Sequence, residues 1–129
     1  MDNKLLIEKL YQGFRERDVP SLSEVCHPEI IWTQNPGFPG GGVSIGIAEI
    51  ITNVYDGNSK RWKYFKFSRE TIISGEDTVL VQGCYIVTGK NDERSVSAQT
   101  AHVFKIENNK VISFQQYTDS KILWDNYNL

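Results

Sequence analysis

Apolar residues recur at helical spacing in three segments of the first half of the chain. In the first segment, Leu6, Leu10 and Phe14 lie four positions apart and therefore share one face of a helix. In the third segment, the same kind of spacing runs from Ile47 to Tyr55. These patterns predict helices over residues 3–17, 19–27 and 46–56.

After Gly57 the apolar period changes to two, which is typical of β-strands. Asn108 and Asn109 predict a tight hairpin turn between the last two strands, because asparagine tolerates the positive φ that such turns need. A short strand is predicted over 29–34, and long strands over 61–74, 78–89, 95–106 and 110–119. The pattern favours a single α+β domain over 1–129, in which three helices pack on one face of a curved antiparallel sheet.

Composition narrows the class of protein. The chain has 40% hydrophobic and 23% charged residues and a net charge of −2, with no cluster of basic residues of the kind that nucleic-acid binding needs. No apolar run approaches the roughly 20 residues that span a bilayer, and no signal peptide is recognisable. The widely separated Cys26 and Cys84 do not suggest a metal or redox site. We therefore expect a cytoplasmic protein that binds no nucleic acid, membrane, metal or cofactor.

Three segments carry a resemblance to a known family. RERDVPSLSEVCHPEIIW, IGIAEIITNVY and the hairpin AHVFKI…NKVISFQQYTD follow one another in the order found in the nuclear transport factor 2-like superfamily, in its SnoaL-like branch. That superfamily includes ketosteroid isomerases, polyketide cyclases and non-catalytic binding proteins. The resemblance implies a cystatin-like, cone-shaped sheet around the first helix, whose open end admits a small apolar molecule. It also implies a homodimer through the convex face of the sheet.

The catalytic residues of ketosteroid isomerases are not found at the matching positions. The resemblance places Asn35 at the position of the aspartate base, Leu10 at that of the tyrosine and Ala101 at that of the protonated aspartate. None of these side chains can perform the corresponding proton transfer, so isomerisation of the steroid type is not expected. The carboxylate of SnoaL-type cyclases would correspond to Gln116 or, after a small change of register, to Asp119.

Strand alternation predicts which side chains of the final hairpin face the cone. If Gln99, Ala101 and Val103 face inward, then His102 and Phe104 face outward. In this interpretation Phe114 and Gln116 also face inward, whereas Tyr117 and Asp119 face outward, and a single β-bulge would reverse the assignment. The outward residues His102, Phe104 and Tyr117 are then the predicted dimer contacts.

Two residues are candidates for catalysis, and each has a structural alternative. His102 has the side chain that titrates nearest neutral pH, but on the convex face it would be an interface residue. Asp119 could act as a base or could cap the segment that begins at Ser120. His27 precedes Pro28, where we expect a helix to end, and is interpreted as a capping residue.

Aromatic and amide side chains predict a pocket for a neutral, ring-containing molecule. A glycine-rich loop, 35–42, is expected at the mouth of this pocket. Three functions stay open: an enzyme of the isomerase, cyclase or hydrolase type, a non-catalytic ligand-binding protein, and a protein-interaction module. The predicted pocket residues are Phe14, Trp32, Asn35, Phe38, Tyr55, Trp62, Gln99, Ala101, Phe114 and Gln116.

Overall fold

The computed structural model describes residues 2–128, and its helices lie mainly in the first half of the chain. Asp2 caps the first helix by accepting a hydrogen bond from the backbone N–H of Lys4, and Leu6, Leu10 and Phe14 are all buried, as predicted. No helix among the described residues is long and apolar enough to cross a membrane. The helices are α1 (Asn3–Glu16), α2 (Val19–Val25), α3 (Ile47–Ile50), α4 (Asp56–Arg61) and α5 (Ser120–Asp125), with a π-helical turn (Ile51–Tyr55) between α3 and α4.

Two helix predictions need correction. The helix predicted over 19–27 ends at Val25, and His27 lies in a strand, where its Nδ1 accepts a hydrogen bond from the backbone N–H of Glu29 rather than capping a helix. The helix predicted over 46–56 continues through the π-helical turn to Arg61. Gly57 does not end it, because a glycine costs a helix only about 1 kcal/mol and its buried position packs against Arg61.

Six strands form one curved sheet that does not close into a barrel. The order is β2-β1-β6-β5-β4-β3, and all pairs are antiparallel except that of β1 with β6, which the sequence did not predict. The short β2 was likewise not predicted. The strands are β1 (Cys26–Gln34), β2 (Gly42–Ile45), β3 (Tyr64–Ser74), β4 (Thr78–Thr88), β5 (Val96–Glu107) and β6 (Lys110–Thr118).

The final hairpin turns at Asn108 and Asn109, as predicted, with φ values of 52° and 62°. Glu107 pairs with Lys110, but the register shifts by one residue before Lys105 pairs with Ser113. This shift is a β-bulge that leaves Ile112 without an opposite partner.

The bulge reverses the predicted orientation of β5. His102 lies opposite Gln116 and Phe104 lies opposite Phe114, and all four side chains are buried on the face that holds α1. The prediction that His102 and Phe104 face outward is therefore wrong, and they cannot be surface contacts of a dimer. By alternation, Gln99, Ala101 and Val103 face away from the cone. The predicted directions of Phe114, Gln116 and Tyr117 on β6 agree with the structure.

The glycine-rich loop between β1 and β2 packs inward. Phe38 is buried in a second apolar cluster with Trp62, Tyr85 and Leu123, and the carbonyl oxygen of Gly37 accepts a hydrogen bond from the indole of Trp124. None of its residues borders the cavity described below, within the part of the chain that the structure describes. The loop thus seals the end of the sheet near α5 and does not form the mouth of the pocket.

Candidate functional site

A cavity of about 590 Å³ lies between α1, the helical segment that runs from the π-helical turn into α4, and β3. Six consecutive residues of β3, from Tyr64 to Arg69, border it. Side chains of a strand alternate between two faces, so an unbroken run of bordering residues means that the backbone of β3 contributes to the wall. Because β3 is an edge strand, the N–H and C=O groups on its outer side do not pair with another strand.

Aromatic rings form most of the inner wall. Trp32 stacks on Phe114 with ring centroids 3.8 Å apart and 10° between the ring planes. Phe14 lies behind this wall and stacks on Tyr55, with ring centroids 4.9 Å apart and 6° between the ring planes. Apolar walls of this kind stabilise a bound ring by removing it from water and stacking against it. The aromatic residues that border the cavity are Tyr11, Trp32, Tyr55, Tyr64, Phe65, Phe67, Tyr85 and Phe114.

A buried hydrogen-bonded chain crosses the inner end of the cavity. The hydroxyl of Tyr11 lies 2.8 Å from Nδ1 of His102, and the hydroxyl of Tyr85 lies 2.7 Å from Nε2. Gln116 donates from Nε2 to the Tyr85 oxygen at 2.7 Å, and its Oε1 accepts from the backbone N–H of Asn35 at 3.2 Å. Tyr11, His102 and Tyr85 all border the cavity, whereas Gln116 lies behind Tyr85.

The protons of this chain can be counted. A neutral imidazole has one N–H donor and one nitrogen acceptor, and each phenol has one O–H donor. If Tyr85 donates to Nε2, then Nδ1–H donates to Tyr11 and the Tyr11 hydroxyl proton is unused. If Tyr11 donates to Nδ1, the Tyr85 hydroxyl proton is unused instead. In either tautomer one phenolic O–H has no acceptor among these three side chains.

Burial keeps all three groups neutral. It lowers the pKa of His102 from its ordinary value of 6.5 to about 3, because a charged imidazolium would lose its hydration. Burial also raises the pKa of Tyr11 and of Tyr85 well above the usual value for phenols, and the hydrogen bond from Gln116 offsets this only in part for Tyr85. The Tyr11, His102 and Tyr85 side chains therefore suit hydrogen-bond donation better than net proton transfer at neutral pH, because a buried imidazolium or phenolate would be costly.

Three of the ten predicted pocket residues border the cavity: Trp32, Tyr55 and Phe114. Phe14 supports Tyr55, and Gln116 supports Tyr85, so both lie one layer behind the wall. The remaining five lie elsewhere. Asn35 is hydrogen-bonded to Gln115 and Gln116, Phe38 and Trp62 belong to the second apolar cluster, and Gln99 and Ala101 face away from the cone.

The structure separates the two catalytic candidates. His102 is only 4% exposed and borders the cavity, which is where a reacting group would need to be. Asp119 is exposed and caps α5, with its Oδ1 accepting a hydrogen bond from the backbone N–H of Ile122 at 3.3 Å. Asp119 does not border the cavity, and its structural interpretation as a cap agrees with the structure.

Sequence reasoning did not place Tyr11 and Tyr85 in the pocket. Tyr11 lies on α1 next to the face that carries Leu6, Leu10 and Phe14, and its spacing does not distinguish a core residue from a pocket residue. Val81 of β4 pairs with His102 of β5. Tyr85 lies four positions after Val81 and therefore on the same face of β4, so this pairing places Tyr85 and His102 on one face of the sheet. That proximity depends on the strand register, which the residue pattern alone does not determine.

The fold is shared with solved structures. An NTF2-like protein from Burkholderia thailandensis E264 is 25% identical, with a TM-score of 0.84 over 95% of this chain and 94% of that chain. TerC, co-crystallised with polyporic acid, is 21% identical, with a TM-score of 0.82 over 96% of each chain. IdmH from Streptomyces antibioticus, which is proposed to be a polyketide cyclase, is 11% identical, with a TM-score of 0.72 over 98% of each chain.

No curated protein sequence matches the chain. The family model of the SnoaL-like domain, in contrast, matches residues 7–114. That span runs from α1 through the middle of β6 and includes every side chain of the hydrogen-bonded chain except Gln116. The cone-shaped α+β fold and this match together establish that the chain belongs to the SnoaL-like domain family.

Proposed function

We propose that this protein binds a small, ring-containing molecule in the cavity and donates a hydrogen bond to one of its oxygen atoms from Tyr11 or Tyr85. The observation that carries the proposal is the Tyr11–His102–Tyr85 chain, which always leaves one phenolic O–H unused. The stacked aromatic wall supplies the complementary surface for a ring.

The cavity volume also supports ligand binding, since small-molecule sites usually measure about 300–1,000 Å³. TerC, which shares the fold, was co-crystallised with polyporic acid, and IdmH is proposed to be a polyketide cyclase. These relatives make small organic molecules the first class of ligand to test.

The hydrogen-bonded side chains of Tyr11, His102 and Tyr85 also support a second candidate function, an enzyme of the cyclase or isomerase type. In such a reaction the phenol would stabilise negative charge that develops on a carbonyl oxygen, in the manner of an oxyanion hole. Binding is the stronger proposal, because no carboxylate borders the cavity among residues 2–128 and His102 stays neutral down to about pH 3.

A matched pair of probes tests the binding proposal: the ring ketone 1-tetralone and the hydrocarbon tetralin, which lacks the oxygen. We expect the ketone to bind about 2- to 10-fold more tightly in a titration of tryptophan fluorescence, the gain of one net hydrogen bond. The double variant Tyr11→Phe/Tyr85→Phe should lose this preference, whereas Tyr64→Phe at the exposed rim should retain it. Equal binding of the two probes to the wild-type protein would exclude the phenolic donor, and no binding of either would contradict a ring-binding cavity.

We also propose that the chain forms a homodimer through the outer face of the sheet. Ile31 of β1 lies opposite Ile45 of β2, and Val43 lies two positions before Ile45 on the same face. These three exposed aliphatic side chains form one patch. Tyr117, 55% exposed, lies on the same face. Light scattering should give twice the monomer mass of 14.8 kDa at micromolar concentration, and Val43→Lys should reduce it to the monomer.

A further inference from the structure

We infer that the ligand of this cavity is an acid: a ring compound whose anionic group lies at the mouth of the cavity and whose ring carries a polar substituent at the inner end. This inference rests on the proposed ring-binding function and specifies the chemical class of the ligand. It draws on two features that the Tyr11–His102–Tyr85 chain does not involve.

The first feature is an excess of positive charge around the mouth. Arg15, Arg17 and Arg69 border the cavity, and no acidic side chain among the described residues does. Lys66 also borders it, but its side chain lies on the outer face of β3, because it alternates with the inward Phe67, which packs on Tyr11 and His102. All three arginines are exposed, whereas Trp32 and His102 at the inner end are buried, so the charges lie at the entrance.

Two of the three arginines have carboxylate partners. Arg17 pairs with Asp56 at 2.9 Å, and Arg69 pairs with Glu8 at 2.9 Å. Arg15 forms no salt bridge with any residue in the part of the chain described. Three arginines less two carboxylates leave a local charge of +1, although the whole chain has a net charge of −2. The mouth therefore attracts anions against the overall charge of the protein.

The cations adjoin the aromatic wall. The guanidinium of Arg69 lies 4.7 Å from the ring centroid of Tyr11, and that of Arg17 lies 5.8 Å from the ring centroid of Tyr55. A ring that enters between these tyrosines would thus carry an attached acid group directly past the guanidinium groups. Arginine is well suited to bind a planar acid group, because its donors are arranged in a fork.

The second feature is a pair of buried polar atoms without hydrogen-bond partners in the cavity wall. The indole Nε1 of Trp32 is an unused donor, and Oδ1 of Asn58 is an unused acceptor. Trp32 is 2% exposed and Asn58 is 5% exposed, and both border the cavity. Buried polar atoms are nearly always hydrogen-bonded, and leaving one unpaired costs about 1–3 kcal/mol.

A hydroxyl group on the ligand would satisfy either atom, since it can accept from Trp32 Nε1 and can donate to Asn58 Oδ1. The two residues lie on different elements, β1 and α4, and both border the cavity. A ring acid with a polar substituent away from its acid group therefore matches the wall at both ends.

The test compares 6-hydroxy-2-naphthoate with its uncharged amide, 6-hydroxy-2-naphthamide, by calorimetric titration at pH 7. Exposed ion pairs each contribute little, so we expect the acid to bind about 5-fold more tightly in 25 mM salt and the advantage to shrink at 300 mM. The variant Arg15→Gln, which removes the unpaired charge, should reduce the advantage without weakening amide binding. The control Lys9→Gln removes the same charge from an exposed position of α1 that does not border the cavity and should retain it.

The outcomes separate this inference from the proposed function. If the amide binds as tightly as the acid, the acid inference is wrong and the ring-binding proposal stands. If neither probe binds, both are wrong. Removing the hydroxyl, with 2-naphthoate as the probe, should weaken binding about 5- to 100-fold, and Trp32→Phe should abolish part of that difference. An unchanged affinity for 2-naphthoate would refute the assignment of the inner polar group.

Discussion

The hydroxyl of Tyr11 and the Nδ1 atom of His102 are 2.8 Å apart, although 91 positions separate the two residues in the chain. Tyr11 belongs to α1 and His102 to β5, so this hydrogen bond forms only when the first helix is seated in the curved sheet. The polar chain at the inner end of the cavity is therefore part of the core packing as well as part of the candidate site.

The protonation of His102 should make the stability of the protein depend on pH. Burial lowers its pKa in the folded state to about 3, below the ordinary value of 6.5 that applies to the unfolded chain. Between these values the unfolded state binds more protons, so the free energy of unfolding should decrease as the pH falls below about 6.5, by up to about 1.4 kcal/mol per pH unit. Urea unfolding at pH 7.5, 6.5 and 5.5 measures this slope.

Two histidine variants test whether His102 causes this pH dependence. His102→Gln should flatten the pH dependence over this range, whatever its absolute stability. His27→Gln, which changes an exposed histidine in β1, should retain the wild-type slope because His102 is still present. A slope that His102→Gln leaves unchanged would contradict a neutral, buried imidazole.

Gln116→Leu should reduce the stability of the fold rather than contact with a ligand. Gln116 is fully buried, donates to Tyr85 and accepts from the backbone N–H of Asn35, so leucine would leave that N–H without a partner. We expect a loss of about 1–3 kcal/mol in the free energy of unfolding. Chemical denaturation checks this, with Gln82→Leu at an exposed position of β4 as the control, which should change stability by less than about 0.5 kcal/mol.

Asp119 should prove to be a structural cap. Asp119→Ala removes the acceptor for the backbone N–H of Ile122 and should cost about 0.5–2 kcal/mol, whereas Asp119→Asn retains a good capping side chain and should cost little. Both variants should bind the ring probes with unchanged affinity in the fluorescence titration. Loss of binding or turnover in Asp119→Asn, with stability intact, would instead place this carboxylate in the reaction.

Gly83→Ala should disturb the wall of the cavity through the sheet. A Cβ atom at position 83 would collide with the backbone carbonyl oxygen of Ser68, near the register shift between Arg69 and Thr71. A backbone neighbour cannot move aside cheaply, so we expect a loss of about 1–3 kcal/mol in the free energy of unfolding. Gly75→Ala, where the nearest atom is at an ordinary contact distance of 3.5 Å, should be tolerated in the same denaturation experiment.

Most of the fold could be predicted because it depends on local periodicity. The change from helical spacing to alternation predicted α1 and the four long strands to within three residues at each end, and the two asparagines predicted the hairpin. The parallel pairing of β1 with β6 and the short β2 could not be predicted in this way. Strand pairing depends on contacts between distant segments, which the spacing of apolar residues does not encode.

The candidate site was less predictable for a specific physical reason. A regular hairpin from Asn108–Asn109 would place Gln116 opposite Ala101, so that both side chains face inward. The bulge at Ile112 places Gln116 opposite His102 instead and moves the histidine from the outer face into the cone. One unpaired residue thus decided whether His102 was a surface residue or the centre of a buried hydrogen-bonded chain.

The unpaired edge of β3 has a consequence for how binding specificity can diverge in this family. Every residue except proline carries a main-chain N–H and C=O group, so substitutions other than proline from Tyr64 to Arg69 alter the rim of the cavity but keep these backbone groups. The opposite wall consists of side chains from α1 and α4, where a single substitution changes shape and chemistry together. New ligand preferences can therefore arise on the helical side while the strand provides an invariant row of hydrogen-bonding groups.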